Sequence, residues 1–249
     1  DRNDVYHKIK MIDLYKKHNR LKKGFEGRFP CLYNIKTNTE IPLTDDELRI
    51  MIMFHADGAL RYDMKMHGYA TFSKKRKIER CEMLLKKANL KYRHKKYSNG
   101  TERFTFEPPI LTKNFDNKWY SASEHQLKII AEECLLWDGD QKNRYTSRYK
   151  SDCDFIQFVF NSIGFRTHIS HDNRDNKSTY SVTKSNIKKY RFLSNTGGKN
   201  IDIVDSTDGY KYCFTMPSRN LILRHNNSIF VTGNCGIDRK SYAAAYAKH

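Results

Sequence analysis

Two stretches of the chain share one design, TDDELRIMIMFHADG (44–58) and SASEHQLKIIAEECLLWDG (121–139). Each opens on a capping-box spacing, Thr44 with Glu47 and Ser121 with Glu124, in which a hydroxyl meets the N3 amide and a carboxylate reaches back to the N-cap. Each continues as a mostly apolar helix and stops at Asp-Gly, with Gly58 and Gly139 expected as C′ glycines. The aspartates Asp57 and Asp138 lie 81 residues apart (138 − 57). A repeat at this spacing limits the chain to two copies of one unit facing each other across a pseudo-twofold axis.

The flanking sequence repeats as well. After Gly58 a strand-like stretch to Phe72 precedes a helical pattern at Ile78, Cys81, Leu84 and Leu85, then a hairpin around Asn99-Gly100 with Phe104 and Phe106 alternating. After Gly139 come a shorter strand region, a helix (Phe155, Ile156, Val159, Ile163) and an alternating stretch with Ile169, Tyr180 and Val182. The expected class is α+β. Residues 1–43 form a basic N-terminal segment, 44–119 the first repeat and 120–195 the second. Beyond them, turn signals at Thr196-Gly197-Gly198 and Asp208-Gly209 separate short strands at Ile201–Val204, Tyr210–Met216, Asn220–Arg224 and Ser228–Thr232. This is an all-β segment over 196–234, followed by an Ala-rich stretch over 235–249.

An aspartate at a helix C-terminus faces the negative end of the macrodipole. Two such ends side by side concentrate negative charge, which is poor for stability and good for a divalent cation. Oxygen donors with room for phosphate and water suit Mg²⁺. The chain carries 46 Lys+Arg against 28 Asp+Glu, a formal charge of +18, which points to a polyanion partner. Basic residues group around aromatics on the expected ribbons: Lys91, Arg93, Lys95 and Lys96 with Tyr92 and Tyr97, then Arg166, His168, Arg174 and Lys177. Two-stranded ribbons fit the major groove of double-stranded DNA. The six cysteines form neither CxxC nor a zinc spacing, which argues for a reducing cytoplasm. No apolar run reaches membrane-spanning length.

On these residues the chain resembles the LAGLIDADG homing endonucleases over roughly 44–195, with IMIMFHADG (50–58) and AEECLLWDG (131–139) as the two motif copies. The resemblance implies paired central helices, αββαββ repeats, saddle-shaped sheets on DNA, and Asp57 and Asp138 as catalytic metal ligands in a monomeric Mg²⁺-dependent nuclease. It also implies basic side chains near the metals. Lys184 and Arg103, each 46 residues past their aspartate, are candidates, although their strand parities differ. Met51, Ile52, Glu132 and Glu133 stand where the family favours small residues, and His55 stands where an acid is common. A DNA-binding-only module is therefore an alternative.

The stretch YCFTMPSRNLILRHNNSIFVTGNC (212–235) resembles the C-terminal splicing blocks of inteins, and implies the C-terminal all-β part of a Hint domain. By that resemblance Asn234 cyclises to release the following peptide, and Cys235 accepts the acyl group as the first residue of the C-extein. Cys213 stands where an Asp is common and is a candidate branching nucleophile paired with Thr232. Gly233 replaces the usual penultimate His. No N-terminal splicing block is present, so the expected partner is an N-terminal intein half in cis or in trans, the chain being a truncated or a split piece. The expected setting is the cytoplasm of a bacterial or phage-infected cell. A further alternative is a free-standing endonuclease with a β-appendage.

Overall fold

The computed structural model describes residues 13, 16, 26–30, 38–63, 67–140, 142–173, 178–186, 189–193, 205, 220–225 and 227–233. The chain divides into two compact units, residues 33–186 and residues 1–32 with 187–249.

The unit spanning 33–186 contains both repeats. Helix α1 (Asp45–Asp57) starts on the predicted capping box, with Glu47 N–H donating to Thr44 Oγ1 and Thr44 N–H to Glu47 Oε2 at 2.9 Å. Asp45, Asp46 and Glu47 place negative charge on its first turn, where the helix dipole favours it. Leu48, Ile50, Met51, Ile52, Met53 and Phe54 are all buried, so α1 is an interior helix without a solvent stripe. Strands β2 (Gly58–Leu60) and β3 (Gly68–Phe72) follow, then helix α2 (Lys75–Lys87), which turns Cys81, Leu84 and Leu85 inward. Strands β4 (Tyr92–Lys96) and β5 (Glu102–Phe106) close the first repeat around Gly100, whose φ of +78° meets the turn's need for a left-handed residue. The sheet order is β2-β3-β5-β4, antiparallel throughout.

The second repeat is a shortened copy. Helix α3 (Glu124–Asp138) leads to β6 (Arg144–Ser147), helix α4 (Lys150–Ser162), β7 (Arg166–Asp172) and β8 (Thr179–Ser185). Strand β8 pairs with both β7 and β6. The counterpart of β2 shrinks to a bridge between Gly139 and Tyr145. Helices α1 and α3 pack side by side, and the buried faces of all four helices and both sheets form one apolar cluster.

Two predicted boundaries differ. The box that starts α3 is Ser123 with Gln126, not Ser121 with Glu124. Ser121 ends a 3₁₀ turn (Asn117–Ser121) and spends its hydroxyl on Lys118 O. Gln126 instead does double work: its amide exchanges two 2.8 Å bonds with the backbone of Ile41, mimicking a strand partner. Nor are Gly58 and Gly139 left-handed stops. Both are extended, at φ −82° and −86°. What they lack is room, since a Cβ on Gly58 would lie 2.6 Å from Phe54 O and one on Gly139 2.6 Å from Leu135 Cα. The left-handed stops belong to α2 and α4, at Asn89 (φ 52°) and Gly164 (φ 90°). There Leu90 N–H bonds Leu85 O and Phe165 N–H bonds Phe160 O, the 6→1 bond of a Schellman end.

In the other unit, β1 (Glu26–Pro30) pairs with β9 (Lys189–Leu193), and β10 (Asn220–His225) with β11 (Ser228–Gly233). The last two match the expected strands at Asn220–Arg224 and Ser228–Thr232. The strands expected at 201–204 and 210–216 lie outside the described residues, as do Arg174, Lys177, Cys213, Asn234 and Cys235. No helix among the described residues is long and apolar enough to cross a membrane.

Candidate active site and nucleic-acid face

Because α1 and α3 pack together and both end at Asp-Gly, the two aspartates come within electrostatic reach of each other. Burial pushes the Asp138 carboxyl up to about 6, and the charge of Asp57 pushes it the same way. Lys77 and Lys113 oppose that rise. Lys77 Nζ lies 2.5 Å from Asp57 Oδ2, with 12% of the lysine and 26% of the aspartate side chain exposed. Its ammonium also sits 5.8 Å above the Trp137 ring. Next to it, Arg76 Nη1 donates to Leu136 O at 2.6 Å, satisfying a carbonyl in the last turn of α3. The first turn of α2 thus presents Lys75, Arg76 and Lys77, with no acid and no side-chain cap. That placement opposes its own helix dipole. Its compensation is tertiary: two of the three cations neutralise the C-terminal ends of α1 and α3.

Lys77 was missed by sequence reading. The signal was the Lys74-Lys75-Arg76-Lys77 run at a helix start, where acids normally sit.

Glu133 also has a defined place. It is fully buried, accepts from Arg49 Nη1 at 2.8 Å and Trp137 Nε1 at 3.0 Å, and is held by two nitrogens of Arg80. One carboxylate therefore ties α1, α2 and α3 together where small residues were expected. Glu132 is exposed, with Arg49 at 3.8 Å. His55 is half-buried, stacked on Phe115 (ring centroids 4.1 Å) with Trp119 edge-on. Its pKa falls to about 3, chiefly through burial, and its Nε2 has no hydrogen-bond partner among the described residues. His55 and Asp138 line one narrow crevice with Ile52, Phe115, Cys134 and Tyr145.

A divalent ion fits this place in one respect. A half-buried carboxylate pair, in which the charge of Asp57 acts on Asp138, offers hard oxygen donors. Among the described residues no group of three or more His, Cys, Asp or Glu is arranged to hold a metal. The protein's share would be the two carboxylates, with the remaining positions left to phosphate oxygens and water.

The sheets carry a second feature. On β3, β4 and β5, Ala70, Phe72, Phe104 and Phe106 are buried under the helices. Their neighbours Tyr69, Thr71, Arg93, Lys95, Arg103 and Thr105 alternate to the opposite face. Lys91 shares that parity just before β4. Lys96 does not: it falls on the helix-side parity and pairs with Glu102 at 3.4 Å. On β7, Arg166 and His168 share the outer parity, opposite buried Thr167 and Ile169.

The matched bridges Gly58–Ala70–Phe104 and Gly139–Tyr145–Val182 align the repeats residue by residue. Lys91 then corresponds to Arg166 and Arg93 to His168. Arg103 corresponds to Ser181, and Lys184 to the buried Phe106. Arg103 and Lys184 are therefore not equivalent, despite their equal 46-residue offsets, because the loops of the two repeats differ in length. Lys184 lies on the helix side, 4.2 Å over the Phe165 ring, where its charge acts on the Cys134 thiol beside Asp138.

No family model matches the chain. It is 26% identical over 217 residues to the ribonucleoside-diphosphate reductase subunit beta of Aquifex aeolicus (strain VF5), covering 76% of this chain and 30% of that protein. The chain thus spans about a third of the curated relative it matches. The crystal structure of I-DmoI in complex with DNA and Ca superposes with a TM-score of 0.43 at 14% identity, over 57% of this chain and 83% of that one. Mesophilic variants from the homing endonuclease I-DmoI give 0.42 at 14% identity, over 57% and 89%.

Proposed function

We propose that the two-repeat unit is a DNA-binding module that hydrolyses phosphodiester bonds, with Asp57 and Asp138 at the cleavage centre. The observation that carries this reading is the aspartate pair itself: two helix ends brought together at an electrostatic cost, with Asp138 pushed up to about 6. Asp57 and Asp138 would hold Mg²⁺, which when bound supplies an activated water and stabilises the leaving oxygen. The chain's own residues set the stage. Lys77 occupies Asp57 as a counter-ion, Arg76 and the Glu133 network fix the helix ends, and the outer sheet faces grip the duplex through Lys91, Arg93, Lys95, Arg166 and His168. Both repeats reside in one chain, so a single copy suffices for an asymmetric target.

The test uses supercoiled plasmid carrying a selected binding site. Wild-type protein with Mg²⁺ linearises it, while Asp57→Asn and Asp138→Asn each lower the rate by at least about 10²-fold and still bind in EDTA. Unchanged cleavage by both variants would sink the assignment. A binding-only module is the second reading. It is favoured by the Lys77–Asp57 ion pair, which already fills part of the cation's place, and is selected if wild type binds but never cuts.

For the C-terminal segment, Asn234 and Cys235 are assigned to peptide cleavage and acyl acceptance, with Cys213 and Thr232 as an accessory pair. Support comes from the strand β11 ending at Gly233, directly before Asn234. Mixing the chain with an N-terminal intein half and weighing the products by mass spectrometry tests this. A ligated extein is expected from wild type and none from Asn234→Ala.

A further inference from the structure

The alignment of the repeats leaves the outer faces of the two sheets unequal. The first carries Arg93, Lys95 and Arg103 with Tyr69. The second carries His168, Ser170 and Ser181 at the matching cationic positions, and Arg144 at that of Tyr69. Within the first face one side chain is held in a defined pose. Arg103 Nε donates to Thr71 Oγ1 across the β3–β5 pair at 3.2 Å. Its guanidinium carbon lies 4.8 Å from the Tyr69 ring centroid and 5.5 Å from that of Tyr97. Lys95, its register partner on β4, sits 5.1 Å over the same Tyr97 ring.

A free arginine side chain loses rotamer entropy when it is fixed. Here a hydroxyl and two rings have already restricted it, so less remains to be lost on binding. With Nε engaged, the edge left for a ligand is the pair of terminal nitrogens. That fork matches the O6 and N7 acceptors of guanine in the major groove, the commonest specific contact of an arginine with a base. A phosphate contact needs no such orientation, and Lys91, Arg93 and Lys95 already provide positive charge for the backbone.

We infer that Arg103 reads a guanine in one half of the DNA target, and that the corresponding position of the other half, faced by Ser181, carries no such requirement. This rests on the DNA-binding reading above and adds to it a single base, its reader and its asymmetry. Thr71 is a positioning residue, acting through Arg103.

The experiment is selection of the full chain on a randomised DNA duplex library in EDTA, with circular dichroism confirming the fold of each variant. Wild type is expected to enrich a motif with a fixed guanine in one half only. Arg103→Ala and Arg103→Lys should lose the preference for that guanine by roughly 5- to 150-fold while leaving the other positions intact. Thr71→Val should weaken the same preference and no other. If Arg103→Ala enriches the wild-type motif with uniformly lower affinity, Arg103 is only a phosphate contact and the inference is overturned. If wild type enriches no motif at all, sequence-specific DNA binding itself fails and the inference falls with it.

Discussion

At the scale of single residues, the chain tolerates charges where packing alone would exclude them. Asp138 is the clearest case. Its carboxyl is raised in the fold to about 6, against 3.8 for the free group. Between those two values the native state binds more protons than the unfolded chain, so stability falls as pH rises through about 4 to 6. The penalty above pH 6 is about 3 kcal/mol as an upper bound. Asp138→Asn is therefore expected to melt higher than wild type at pH 7.5 and to converge with it near pH 4, as thermal denaturation at both values will show. Glu133 is the opposite case, a buried charge with every oxygen engaged. Glu133→Ala strands Arg49, Arg80 and the Trp137 indole, and should cost about 3–5 kcal/mol in urea denaturation. The carboxylates were legible in the sequence, Asp57 and Asp138 as candidates and Glu133 only as a departure from small residues. Their counter-ions were not. Lys77 and Arg80 are remote from Asp57 and Glu133 along the chain and meet them only in the packed helices.

At the scale of elements, amphipathic period and caps located the helices, while the neighbours decided their boundaries. Two Ser-x-x-Glu/Gln spacings compete at residues 121–126. The later one prevails because Gln126 also pairs with the Ile41 backbone and because the 3₁₀ turn consumes Ser121. Ser123→Ala should destabilise by about 1 kcal/mol. Ser121→Ala should stay within about 0.5 kcal/mol. Equal losses would contradict the boundary at Glu124. The same lesson holds at the far ends of the helices. Asp-Gly reads as a left-handed stop, yet Gly58 and Gly139 are extended and are required for clearance. The left-handed stops are Asn89 and Gly164, which a search for paired Asp-Gly passes over.

At the scale of the whole molecule, the proposed DNA binding, with a charge of +18 and a basic outer face on the first sheet, predicts a salt-dependent affinity. The slope of log K against log salt should fall in magnitude by about 0.9 for each phosphate contact removed. Arg93→Ala with Lys95→Ala is thus expected to lower it by about 2, measured by fluorescence anisotropy across a salt series. An unchanged slope would remove both residues from the phosphate interface. The duplication, the apolar helices ending in aspartate, the alternating strands and the excess of cations were determined by the sequence alone. Each is a local pattern, and local backbone preference and side-chain period follow from neighbours within a few residues. Three things were decided only by tertiary structure. Asp57 and Asp138 share one electrostatic site, α2 supplies its counter-ion, and Arg103 and Lys184 fall on opposite faces despite equal spacing. Those depend on strand register and helix packing, and connections of unequal length in the two repeats offset equivalent positions without leaving a mark on the periodicity of either strand.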